Sequence, residues 1–442
     1  MHSLERAITP GYLLRFTIPT MVMLIFNSFY TMVDGAFVSN FVGTGALSAT
    51  NIVYPALNLV FAVGIMLATG GSAIVGRQLG EGKGQQAREN FSLVVSAGTV
   101  LGFVIAVLGV VFASPLVRML GANDAIYSYC YDYLIYMSVF SPCAVLQMLF
   151  QYLFVTAGRP NLGLVSTVAG GVANIVLDYV FIVPMQMGIK GAALATGVGF
   201  TIPAVTGLIY FSIARKESLH FTKPVFRGKI LVEACTNGSS EMVTNLAIAV
   251  TTFLFNVEMM RWLGEDGVAA ITIVFYADFL FVAMFLGYTS GVAPLFSYNY
   301  GAGNHERLQR LFRLSLLFIG IGSVAAYAAS MLFSGPVVAL FADGQSSVYS
   351  IALHGMRLYA LSFLLKGVNI FSSGLFTALS NGKVSAFLSF LRTFGFLVLC
   401  IFLLPKLWGV NGIWLAIPVA EILSLAVSGW CLFRFRSVYH YA

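Results

Sequence analysis

This chain is short of charge. Asp, Glu, Lys and Arg make up only 9% of its 442 residues, where an ordinary soluble domain carries about a quarter. So few charges cannot coat a water-soluble surface of this size, and no polar stretch between the apolar runs is long enough for a soluble domain. Cysteine is sparse too: Cys130, Cys143, Cys235, Cys400 and Cys431 lie in or at the ends of apolar runs without CxxC spacing. That excludes a disulfide framework and a zinc site and leaves them as small packing residues. Catalytic signatures are missing as well: there is no HExxH helix and no nucleophile elbow, so neither an enzyme nor a cofactor is expected. The segment "GEGKGQ" (80–85) lacks phosphate-loop spacing and its later counterpart "GAGNHE" (301–306) lacks the lysine, so both read as tight turns.

What is abundant is apolar: 59% of residues are hydrophobic and the mean hydropathy is +0.88. A bilayer core needs about 20 such residues per helix. The pattern predicts twelve spans, near 13–40, 47–77, 90–113, 126–151, 161–183, 190–213, 231–261, 267–298, 308–333, 347–377, 383–404 and 409–433. The first run is long enough to span and follows no signal-peptide pattern, so it is expected to stay. The fold class is an all-α polytopic membrane protein, and the lipid bilayer is its first partner.

Twelve spans put both termini on one side. Of the 24 Lys and Arg, 18 fall on that side, Arg77, Lys83, Arg159 and Arg227 among them. Only Arg118, Lys190, Arg261 and Lys406 fall on the other, while Arg357 and Lys366 lie inside spans. The positive-inside rule makes the rich side cytoplasmic, in a plasma membrane. The net charge of +7 is therefore a topology signal and no sign of nucleic acid. The most basic connection, "RKESLHFTKPVFRGK" (215–229), reads as a linker between an amino-terminal lobe (1–214) and a carboxy-terminal lobe (230–442).

A shift of 221 positions, half the chain, superposes residues that composition alone would not repeat. Gly80 and Gly82 pair with Gly301 and Gly303, Pro115 with Pro336, Thr156 and Ala157 with Thr377 and Ala378. Pro184, Gly188 and Gly191 pair with Pro405, Gly409 and Gly412. Six spans per repeat is an even number, so the two repeats enter the membrane from the same side and are parallel. Two six-helix bundles around a cleft suit an alternating-access transporter and need no second subunit.

The duplication also works as an internal control, because polar groups present in one copy alone are not needed by the scaffold. Asp34 maps onto Phe255, Asn174 onto Gly395, Asp178 onto Leu399, Thr196 onto Ile417 and Tyr133 onto His354. All five first-half groups fall in the outer half of one lobe. A lipid-facing carboxylate costs at least roughly 2.5 kcal/mol, so both aspartates are expected to face the bundle interior. Two carboxylates, an amide and a hydroxyl make an oxygen-rich set suited to Na+ or to a shared proton. Asn27 and Tyr30 share the Asp34 face, Tyr136, Gln147 and Gln151 mark a face of span 4, and these side chains, with Glu241, Asp278, Arg357 and Lys366, are the candidates to line a substrate cavity. In the second half, similar depths suggest Glu241 with Lys366 and Asp278 with Arg357, as ion pairs or as charges lining a cleft.

Four stretches of the first half carry a family resemblance: "IFNSFYTMVDGAFVSNFVG" (25–43), "GGSAIVGRQLGEGKGQQAREN" (70–90), "TAGRPNLGLVSTVAGGVANIVLDYVFI" (156–182) and "GIKGAALATGVG" (188–199). The second half adds "NGSSEMVTN" (237–245) and "SGVAPLFSYNYGAGN" (290–304). With them the chain resembles, over essentially its whole length, the multidrug and toxic compound extrusion (MATE) family, most closely its DinF-type branch. The resemblance implies export of organic, often cationic and amphipathic compounds against inward Na+ or H+. It implies a cation site in the amino-terminal lobe at Asp34, Asn174, Asp178 and Thr196, with Tyr133 beside it. Some family members use acids in spans 7 and 10, where this chain has Lys366, so the resemblance does not extend to a second cation site. A flippase of lipid-linked precursors is the alternative; it would require a cationic cluster in the cleft, for which only Arg357 and Lys366 are available.

Overall fold

In a bilayer every backbone N–H and C=O must find its partner within the chain, and long helices do this segment by segment. The computed structural model describes residues 3–442, apart from the side chains of Ser3 and Thr44, and all its regular elements are helical. Among these residues ten helices are long and apolar enough to cross a membrane. A bent pair, Tyr127–Val139 and Ser141–Thr156, meeting at 53°, makes an eleventh span. The twelfth comes from the 74-residue helix Gly228–Gly301, which Gly264 divides at φ 66° and ψ −152°. That conformation carries no penalty for glycine and a large one for other residues.

Spans 1 to 3 are Pro10–Val42, Thr44–Gly80 and Gly84–Val111; span 4 is the bent pair; spans 5 and 6 are Pro160–Ile182 and Gly188–Ile213. Spans 7 and 8 are 228–263 and 265–301, and span 9 is His305–Ala339. Span 10 is Ser347–Ala378, span 11 Gly382–Trp408 and span 12 Val410–Tyr439. The twelve expected spans are all present, most with ends a few residues longer than their apolar cores. Caps account for some of the extension: Thr9 accepts from Tyr12 N at 3.2 Å just before Pro10, and Asn304 from Arg307 N at 3.1 Å.

The backbone repeats as the sequence does. The left-handed glycines Gly43, Gly82 and Gly188 recur one repeat later as Gly264, Gly303 and Gly409. Span 4 breaks at Phe140, and span 10 breaks at the equivalent place, in the 3-10 turn Ala360–Ser362. The "GEGKGQ" and "GAGNHE" turns are thus one turn built twice.

The halves meet along glycine seams. A Cβ on Gly80 would strike the Tyr298 carbonyl, and a Cβ on Gly301 would strike the carbonyl of Arg77, the counterpart of Tyr298. Gly76 likewise packs on its own counterpart, Ser297. Equivalent residues touching each other is what a two-fold axis running along the spans requires. Gly70 and Gly238 bring spans 2 and 7 to backbone contact, and Gly287 and Gly291 seat span 8 on Thr17, Thr20 and Met21 of span 1. An Arg77 to Glu233 ion pair of 3.0 Å crosses the same boundary. The end of the bundle bearing the two glycine turns is therefore closed. The basic connection 215–229 is strapped to the first half: Arg227 reaches Glu89 at 2.8 Å, and Thr222 N donates to Ser92 Oγ at 3.0 Å.

Candidate functional site

Small residues assemble the polar cluster of the first half. Gly170 of span 5 lies against the Gly199 carbonyl of span 6, and Gly199 in turn meets the Asn174 Cβ. Gly171 accepts the rings of Phe26 and Tyr30 from span 1. With no side chains to hold the three helices apart, Asp34, Asn174, Asp178 and Thr196 converge. Asn174 Nδ2 donates to Thr196 Oγ1 at 3.4 Å, and Thr196 Oγ1 donates to the Ala192 carbonyl at 3.0 Å. Asp178 is 0% exposed and Asn174 1%.

The Asp34 and Asp178 carboxyl groups stand within hydrogen-bond reach of each other, and Tyr133 lies within the field of both. Two carboxylates are both acceptors and cannot bond to one another without a proton or a cation between them. Asp34 Oδ1, both Asp178 oxygens and Asn174 Oδ1 are buried without a donor among the described residues. Buried oxygens of this kind are costly unless paired. The set fits a small hard cation or a proton, and no basic side chain forms an ion pair with either aspartate among the described residues.

The neighbouring positions fall into two groups. Tyr30 contacts Gln147, and a buried Asn27 oxygen on the same helix also lacks a donor, which extends the polar path along span 1. Tyr136 packs at the edge of the apolar cluster that includes Tyr133. Gln151 lies deeper and donates to Thr167 Oγ1 at 3.3 Å, away from the acids.

The second half departs from the expected pairing. Lys366 Nζ contacts Asp278 Oδ1 at 2.5 Å; it does not pair with Glu241. Arg357 is exposed and takes part in no ion pair among the described residues. Counting residues from the membrane edges misplaces these groups because depth does not say which helix lies alongside, and the lysine stem is long and flexible. Glu241 lines a small cavity between the halves with Thr69, Ser72, Tyr152 and Ser290. The sequence reading passed over Glu421, which is 5% exposed and accepts from Asn369 Nδ2 at 2.6 Å. The duplication held the signal: Asp278, Lys366, Asn369 and Glu421 map onto Leu57, Val145, Met148 and Phe200.

Two parallel six-helix repeats, packed on a two-fold seam with a buried acid pair in one of them, define a multi-pass membrane transporter. The MatE family model matches residues 19–180 and 242–402, once in each repeat. The chain belongs to that family. It is 22% identical over 414 residues to the multidrug export protein MepA of Staphylococcus aureus (strain NCTC 8325 / PS 47), covering 93% of this chain and 90% of the relative. It is 21% identical over 417 residues to MepA of Staphylococcus saprophyticus, with the same coverage. Among solved structures, an outward-facing multidrug resistance MATE family transporter superposes with a TM-score of 0.92 at 22% identity, over 98% of this chain and 97% of the other. A MATE structure in a straight conformation gives 0.92 at 22% identity, over 98% of both chains. These matches account for the fold and for its two-repeat plan.

Proposed function

We propose that this transporter exports organic, amphipathic or cationic compounds in exchange for inward Na+ or H+. The observation that carries the reading is the donorless acid pair Asp34 and Asp178, backed by Asn174 and Thr196 and absent from the other repeat. In this scheme residues 1–214 and 230–442 are two lobes that rock about the glycine seams, with 215–229 as their connection and both termini cytoplasmic. A cation entering the acid pair satisfies oxygens from spans 1, 5 and 6 together, and so biases the helix arrangement toward release of substrate. A charge moving down the membrane potential gains about 2.3 kcal/mol per 100 mV, enough to shift states a few kcal/mol apart. The chain acts as a monomer on small organic molecules, since its cleft is built within one polypeptide. MepA, named as a multidrug exporter, lends the substrate class its support.

The flippase reading has less in its favour, because Lys366 is bound to Asp278 and Arg357 stands apart from it. The experiment is transport of a cationic dye by purified protein in proteoliposomes, with sodium and proton gradients imposed separately. Efflux driven by one gradient and lost in Asp178→Asn is the expected result. Efflux that needs neither gradient, or that survives the substitution intact, would remove the coupling role.

A further inference from the structure

The second repeat contains its own buried ionisable cluster, built from three spans. Asp278 comes from span 8, Tyr359, Lys366 and Asn369 from span 10, and Glu421 from span 12. Lys366 Nζ reaches Asp278 Oδ1 at 2.5 Å and Tyr359 Oη at 3.3 Å, and it lies 5.1 Å from the centroid of the Tyr359 ring. Tyr359 itself sits within the fields of both Asp278 and Glu421. Asn369, one helical turn beyond Lys366, donates its amide to Glu421 Oε2 at 2.6 Å and to the Glu421 carbonyl at 2.9 Å. Its own Oδ1 is buried without a donor among the described residues, on a residue only 2% exposed.

The charge count is unequal. Two carboxylates share the cluster with one ammonium, which leaves one negative charge uncompensated in a largely buried setting. Among the other charged groups on the elements around the cluster are Glu241 and Glu258 on span 7, Arg357 on span 10 and Arg392 on span 11. None forms an ion pair with the cluster among the described residues, and the field of Arg392 falls on Glu241. A metal ion is a poor fit, because the Lys366 ammonium already occupies the Asp278 oxygen and repels a second cation. A proton meets the need.

We propose that Asp278, Tyr359, Lys366, Asn369 and Glu421 form a second ion site, specific for a proton, in which Lys366 is a permanent internal cation. The Asp278 side chain is 18% exposed and that of Lys366 6%, so the aspartate is the more accessible of the two. A proton from water adds to the Asp278 oxygen that now accepts from Lys366, and only that hydrogen bond is broken. Lys366 remains an ammonium and turns past the Tyr359 hydroxyl toward Glu421. The link between spans 8 and 10 is thereby exchanged for one between spans 10 and 12, just beyond the 3-10 turn Ala360–Ser362 of span 10. The use of this exchange in transport rests on the exporter reading above; the proton site itself does not.

Infrared difference spectroscopy of the purified protein in lipid, between acidic and alkaline buffer and without substrate, reads protonated carboxyl groups directly. The background is Asp34→Asn with Asp178→Asn, which silences the first-half acids. A carboxylic-acid band should persist there and be lost or shifted in D278N and in E421Q. Lys366→Met removes the internal cation, so both carboxyl groups then need a proton and the band should grow about twofold. An absent band, or one unchanged by D278N and E421Q, overturns the proposal; so does a K366M band no larger than that of the background. Where E421Q gives no folded protein, K366M decides alone. Dye efflux by the unmodified protein tests the exporter reading separately, since the infrared band needs no substrate.

Discussion

The two halves of this transporter share one backbone and differ in what they bury. The first half gathers Asp34 and Asp178 with no basic side chain in an ion pair with either among the described residues, and leaves Asp34 Oδ1 and both Asp178 oxygens without a donor among them. The second half buries Asp278 and Glu421 around Lys366, so one positive charge is covalently supplied. At equivalent positions each half replaces the other's polar groups mainly by apolar residues: Phe255 and Leu399 in one, Leu57 and Phe200 in the other. A duplicated scaffold can therefore carry two different electrostatic designs, because neither cluster is needed to span or to pack. An acid pair without a fixed cation leaves two carboxyl groups to be compensated, whereas an acid pair holding a lysine leaves one.

Substitutions can break or sharpen that contrast. The largest effect is expected from Asp178→Asn, which removes the carboxylate proposed to meet the coupling ion: dye efflux from proteoliposomes should fall by about a hundredfold or more, roughly 3 kcal/mol, with membrane expression unchanged. A comparable loss of efflux in Leu399→Asn, the same position in the other half, would erase the distinction between the repeats. Gly70→Val comes next, since its side chain must enter the Ala234 carbonyl across the seam; a loss of about 1–3 kcal/mol, read as a lower thermal midpoint in detergent, tests whether the glycines hold the halves together. Asn174→Ala should weaken ion activation of efflux by about tenfold while leaving the maximal rate largely intact, as expected for a group that supports the acids. The smallest change belongs to Arg77→Ala: the pair with Glu233 is partly exposed, so stability should shift by about 1 kcal/mol or less.

Much of this was written in the primary sequence. Apolar runs marked the spans, and matched glycines such as Gly82 and Gly303 marked the duplication, because a left-handed turn admits few other residues. The first-half acids could be singled out because the second half supplied their apolar replacements. Applied in the other direction, the same comparison would have exposed Asn369 and Glu421. The partner of Lys366 was beyond it: helical position and depth do not say which helix lies alongside, and a long side chain carries the ammonium to Asp278.

Sequence alone thus determined that the chain is all-helical, crosses the membrane twelve times and is built twice, since those properties follow from local hydropathy and backbone freedom residue by residue. Which acids meet was decided only by the tertiary structure. Gly170, Gly171 and Gly199 let spans 1, 5 and 6 close to backbone distance, and Gly76, Gly80 and Gly301 let the halves meet on their two-fold seam. Helix neighbours are chosen by side-chain volume across long sequence separations, and that choice turned scattered polar residues into two buried clusters of different charge.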